Sequence, residues 1–250
     1  MAAALSAALA TDGLWLLLTG VVLAGLVRGF SGFGTAMVYV PFAAQVLPPV
    51  WVLVTMVVID VFGPIPAIPR ALRDGHRRDV LRLGAGALLG VPLGVLVLTS
   101  LPSEAFRYAV SAVTGILLVF LVSGLRYRGP VPAPLIYGTG AIGGLLGGSV
   151  GVAGPPVILL YMARPLPVAT IRANIMLYLI LGDLLMFAVF GVRGLLDWQP
   201  VLLGAGLMLP YLASLWIGAR IFDSSRETVY RWVAYAIIAG SALNGLPVWD

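Results

Sequence analysis

The chain has 250 residues, of which 60% are hydrophobic and only 10% charged, with a mean hydropathy of +1.05. A soluble domain carries about 25% charged residues, so this composition excludes an ordinary water-soluble fold and points to a polytopic membrane protein. The net charge of +5 comes from arginine alone, and the absence of cysteine excludes disulfides, thiolate metal sites and thiol chemistry.

In chain order, residues 1–10 are small and apolar but lack the basic region of a signal peptide. Ala8-Leu9-Ala10 resembles a cleavage site, and the segment reads as retained. Apolar stretches 14–28 and 34–47 follow, flanking a glycine-rich break, Gly25-Leu26-Val27-Arg28-Gly29-Phe30-Ser31-Gly32-Phe33-Gly34. Stretches 50–69, 80–100 and 105–125 come next. Stretches 133–147 and 155–167 then flank a second break, running from Gly144 through Gly148, Ser149, Gly151 and Gly154 to Pro155-Pro156. Stretches 171–192, 199–219 and 228–246 complete the set. The six long stretches meet the ~20 residues that a ~30 Å hydrocarbon core requires. An arm of ~15 residues rises only about 22 Å, so each pair of arms reads as a broken or re-entrant hairpin.

The two breaks are copies. Gly25, Gly29 and Gly32 recur as Gly144, Gly148 and Gly151, each 119 residues later. Leu47-Pro48 recurs as Leu166-Pro167, and Leu83-Gly84-Ala85-Gly86 as Leu203-Gly204-Ala205-Gly206. The expected fold is therefore all-α and polytopic: two repeats, residues 1–128 and 129–250, each a re-entrant hairpin followed by three spans. Three spans per half invert the second repeat relative to the first. With the Arg70–Arg82 loop placed inside, twelve of the fifteen arginines fall inside, Arg126 and Arg128 among them. If every arm crossed fully, Arg164, Arg172, Arg220, Arg226 and Arg231 would move outside and the bias would nearly vanish. The positive-inside rule thus favours inversion, with both termini outside.

Paired breaks at matching places point to a transporter's substrate site. The helices beginning near Thr35 and Pro155 would present free N–H groups and partial positive charge at the hairpin tips, which suits an anion. The alternative is that the glycines only let helices pack closely. On the first reading the substrate-binding set is Arg28, Gly29, Ser31, Gly32, Gly34 and Thr35 from the first break. The second break supplies Gly148, Ser149, Gly151, Gly154 and Pro155. Asn174 is an interhelical hydrogen-bond candidate as well as a ligand candidate. Arg28 abuts the break, where a charge faces either a cavity or, by snorkelling, the surface. Asp60 and Asp183 lie inside spans and are candidates for proton coupling, with Asp60 slightly favoured for the proline-rich run behind it. Arg172 reads as an anchor at the inner surface or at a cavity mouth, and His76 as a solvated loop residue. No HExxH, GxSxG or P-loop pattern is present, so neither an enzyme nor a cofactor is expected.

At Gly29-Phe30-Ser31-Gly32-Phe33-Gly34 with Pro41, at Gly148 to Pro156, and at Ile171-Arg172-Ala173-Asn174, the chain resembles the TauE/SafE family of membrane permeases. The resemblance runs over nearly the whole chain. It implies secondary export of small sulfur-containing anions such as sulfite, sulfoacetate or related organosulfonates across a bacterial inner membrane, with proton coupling an open feature. The implied partners are the anion and the lipid bilayer, with no nucleic acid, and a homodimer is compatible. An importer or channel for another anion, or a membrane-embedded enzyme or assembly factor, are the alternative readings.

Overall fold

A computed structural model describes residues 13–124, 131–162, 164 and 166–248. The retained N-terminal segment, Arg126, Arg128 and the expected repeat boundary lie outside the described residues. Eleven α-helices follow one another, with no strand among the described residues. They are α1 Leu14–Ser31, α2 Thr35–Ala43, α3 Pro49–Phe62, α4 Ile68–Asp74, α5 Arg77–Ser100, α6 Ser103–Ser123, α7 Ala133–Val150, α8 Gly154–Met162, α9 Val168–Val192, α10 Trp198–Ile221 and α11 Glu227–Asn244.

Five of these, α1, α5, α6, α9 and α10, are long and apolar enough to cross a membrane. A sixth candidate is the pair α3 and α4, bent by 43°. The bend corrects the expected continuous stretch 50–69. Pro64, Pro66 and Pro69 cannot donate to a helical ladder, so α3 stops at Phe62 and the chain restarts through a 3₁₀ turn at Ile65–Ala67. A second difference concerns the arms. At 18 residues, α1 is about 27 Å long and qualifies alone, whereas α2 and α8 have nine residues each. At each break a long helix is followed by a short one that runs back against it. The last expected span, α11, has 18 residues but is not among these candidates.

Small residues set the packing. On α5, Gly86, Gly90 and Gly94 face Gly140, Gly144 and Gly148 of α7, and a Cβ added at any of them would collide with the opposing backbone. In the same way Gly25 and Gly29 of α1 meet Ser214 and Gly218 of α10. Lipid tails are as apolar as leucine, so helices associate in a membrane largely through such close approach. These two glycine seams are the most extensive helix contacts, and both join a helix of the first half to one of the second. The outward faces carry Leu81, Leu88, Leu89, Val119, Leu209 and Val233, apolar side chains exposed to what would be lipid. Trp15, Trp198, Trp216 and Trp232 lie on this exposed surface.

Candidate functional site

The two breaks meet. Gly32 ends α1 at φ 80°, ψ 1°, with its N–H bonded to Arg28 O at 2.9 Å. Gly151 ends α7 at φ 81°, ψ −4°, with its N–H bonded to Gly147 O at 2.9 Å. A side chain with a Cβ rarely adopts this left-handed conformation, so glycine is what each turn demands. After each turn a short helix restarts, α2 at Thr35 and α8 at Gly154. Both N-termini line one narrow cavity of about 40 Å³, walled by Gly34, Thr35, Gly151, Gly154 and Pro155 and by Arg28, Asp60 and Asp183. Each N-terminus leaves backbone N–H groups without helical partners.

The charged groups are organised around Asp60. Arg28 Nη1 lies 3.7 Å from Asp60 Oδ2, and both side chains are about one-tenth exposed. On the other carboxylate oxygen, Tyr211 OH donates at 2.8 Å and Thr35 Oγ1 donates at 3.1 Å. The two hydroxyl oxygens are themselves 2.9 Å apart. Asp60 comes from α3, Thr35 from α2, Tyr211 from α10 and Arg28 from α1, so this polar knot joins four helices. Asp183 lines the same cavity from α9 and is buried, yet no hydrogen bond or ion pair within 4.0 Å is found to it among the described residues.

Beyond Arg28 the space widens into a vestibule of about 390 Å³, lined among others by Gly29, Ser31, Gly32, Phe33, Ile158 and Arg172. Arg28, Phe33 and Ile158 line both spaces. The vestibule lies toward Phe222 at the C-terminal end of α10 and Ala67 beside α4, the side that carries the arginine-rich loop.

The expected site residues therefore divide. Arg28, Gly34, Thr35, Gly151, Gly154, Pro155, Asp60 and Asp183 line the cavity, while Gly29, Ser31 and Gly32 line the vestibule. Ser31 Oγ bonds its own backbone, to Val27 O at 2.6 Å. Gly148 lies in the seam against α5 rather than in the cavity, because its place in the α7 stripe turns it toward Val91 and Gly94. Ser149 Oγ donates to Leu145 O at 2.7 Å, one turn back on its own helix. Asn174 is fully buried away from the cavity, and its Oδ1 accepts from the His76 N–H at 2.7 Å, pinning the loop to α9. His76 itself is half-exposed, with Nδ1 3.8 Å from Asp79. Tyr211 escaped the sequence reading; the signal was a hydroxyl-bearing residue beside Pro210 in the middle of an apolar stretch. Asp79 escaped too. It is buried and ion-paired with Arg164, tying α5 to the segment after α8.

A family model described as sulfite exporter TauE/SafE matches residues 16–245. The chain belongs to the TauE/SafE family. The match includes both breaks, all eleven helices but the first two residues of α1, and every residue of the cavity. Within the family the chain is 29% identical over 224 residues to a protein of Cupriavidus necator described as a probable sulfite/organosulfonate exporter TauE. The alignment covers 84% of each chain. No solved structure matches. Family and helices together make this a multi-pass integral membrane protein.

Proposed function

We propose that the protein exports small sulfur-containing anions, sulfite or organosulfonates, across a bacterial inner membrane by alternating access around the cavity between the two breaks. The observation that carries this reading is the convergence of two helix N-termini and one arginine on a single buried cavity. Oriented N–H groups and a guanidinium recognise a sulfonate or sulfite oxygen cluster as they would a phosphate. The family and the Cupriavidus relative support the same ligand class.

The two halves are read as inverted repeats. Contacts along the seams keep step, Gly25 with Tyr211 and Gly29 with Leu215, and Gly86 with Tyr137 and Gly94 with Leu145. Thus α1 runs parallel to α10, and α5 parallel to α7. Since α4 and α5 are joined by only two residues, α5 turns back against the α3–α4 pair. The α3–α10 contacts also keep step, Gly204 with Thr55 and Gly63 with Tyr211, so α1, α3 and α10 share one direction and α5 and α7 the other. The first helix of each half then points oppositely, which supports inversion. With the vestibule on the arginine-rich side, the protein stands open to the inside.

Binding follows from charge. Arg28 is engaged by Asp60 until an anion competes for it, and Asp183 adds a second carboxylate to the same small space. Two carboxylates facing one arginine repel an incoming anion unless one is neutralised. Two hydroxyl donors and the Arg28 guanidinium already serve Asp60, whereas Asp183 has no such partner among the described residues, so Asp183 is the residue we assign to the proton and Asp60 the one that positions Arg28. This reverses the sequence-based preference for Asp60. A dianion and a proton then cross together as one net negative charge. An inside-negative potential favours its exit by about 2.3 kcal/mol per 100 mV.

The test is efflux from proteoliposomes loaded in turn with sulfite, sulfoacetate, taurine and sulfate under an imposed pH gradient. The reading requires saturable, protein-dependent efflux of at least one sulfur anion. Efflux of none, or a hydrolysed product in place of the loaded compound, would contradict it in favour of an enzyme or assembly role.

A further inference from the structure

We propose that Arg172 is an outer anion-contacting residue, which takes the sulfonate at the inner mouth and selects fully anionic substrates over those carrying an ammonium group. The proposal rests on the export reading above.

Three observations carry it. First, among the described residues Arg28 and Arg172 are the only charged ones that line the 390 Å³ vestibule, and no carboxylate does. Second, Arg172 stands at a junction. It also lines an adjoining space of about 450 Å³ with Arg164 and Arg231, again with no carboxylate among the described residues, and another of about 350 Å³ beside α4. An anion approaching Arg28 through any of these spaces passes Arg172. Third, four arginines of this side are engaged by carboxylates. Arg28 faces Asp60, Arg70 faces Asp74, and Arg82 and Arg164 face Asp79. Arg172 has no carboxylate within 4.0 Å among the described residues, although Asp74 lines the 350 Å³ space with it.

The chemistry follows. Arg172 is exposed, so its attraction for an anion is screened by salt and acts mainly on capture. A wall whose described charges are all arginine repels an ammonium group by like charge. Taurine carries one; sulfoacetate carries a carboxylate in its place. The vestibule should therefore admit sulfoacetate more readily than taurine, and Arg172 should supply much of that difference. Arg28, deeper and paired, meets the ligand second.

The experiment measures sulfoacetate and taurine efflux, and their binding to purified protein in lipid nanodiscs, for the wild type, Arg172→Gln and Arg172→Lys. Salt is varied from about 50 to 300 mM, over which screening lengths shrink to less than half. Expected for Arg172→Gln is a half-saturation concentration for sulfoacetate raised about fivefold at low salt. The loss falls on half-saturation rather than maximal rate, the salt dependence is shallower, and the preference over taurine narrows. Arg172→Lys should retain most of the wild-type affinity, because the charge is kept. An Arg172→Gln protein with wild-type half-saturation and salt dependence would overturn the proposal, as would a loss confined to maximal rate and not rescued by lysine. A wild-type protein that moves sulfite but neither sulfonate would overturn this proposal alone, whereas one that moves no sulfur anion would sink the export reading and this proposal with it.

Discussion

Arg28 and Asp60 approach within 3.7 Å across the first break, and Asp60 is held on its far side by Tyr211 and Thr35. One carboxylate thus fixes the guanidinium that faces the cavity. Removing one partner of a buried pair costs about 3–5 kcal/mol, because the other charge is left uncompensated. Arg28→Gln and Asp60→Asn should each lower the thermal stability of the detergent-solubilised protein. The double variant should be destabilised by clearly less than the sum. Additive losses would show that the two side chains do not interact.

Asp183 has a different role in this account. Asp183→Asn keeps the shape of the side chain and removes its charge. The variant should still exchange labelled sulfite for unlabelled sulfite at equal pH on both sides. It should lose the response of net flux to a pH gradient. Asp60→Asn should instead weaken exchange itself, through the loss of Arg28 positioning. If Asp183→Asn keeps the full pH-gradient response, Asp183 is not the proton carrier.

The glycines of the breaks proved to hold two jobs at once. The repeat at an offset of 119 was legible as paired breaks, and it marked both the turns at Gly32 and Gly151 and the packing stripes through Gly29 and Gly148. Spacing alone could not separate them, because a stripe four residues apart on a helix and a run of turn glycines look alike until a partner helix is in place. The all-helical fold and the cavity-lining positions of Arg28, Thr35, Asp60 and Asp183 were readable because a polar residue in an apolar stretch stands out. Tyr211 was not, since tyrosine passes for an interfacial aromatic unless its hydroxyl is seen to reach a carboxylate. Asn174 went the other way: a buried amide suggests a ligand, but a loop N–H took its oxygen.

That division predicts two classes of substitution. Gly90→Val would drive a side chain into the backbone of Ala141 and Leu145. It should lower stability by at least the roughly 1–3 kcal/mol typical of overpacking, and reduce the yield of folded protein. Gly138→Ala has open space around its Cβ and should leave stability within about 0.5 kcal/mol. Thermal unfolding in one detergent compares them. Equal effects would refute the α5–α7 seam.

The inverted arrangement predicts thiol accessibility. Single cysteines replacing His76 and Ser225 should be labelled by an impermeant maleimide only from the cytoplasmic side, in inside-out vesicles. A cysteine replacing Ser103 should be labelled only from the opposite side. The chain has no native cysteine to interfere. Ser103→Cys and Ser225→Cys labelled from the same side would exclude the inversion.

On the export reading the anion crosses through the cavity between the two breaks and is held there by Arg28. The most direct measurement is labelled sulfite exchange in proteoliposomes containing equal amounts of folded wild-type or Arg28→Ala protein. A charge-assisted hydrogen bond to a buried anion is worth roughly 1.5–3 kcal/mol, so the variant's apparent affinity should fall by about tenfold or more. Exchange by Arg28→Ala with wild-type affinity and rate would contradict the account, placing the anion's path outside this cavity.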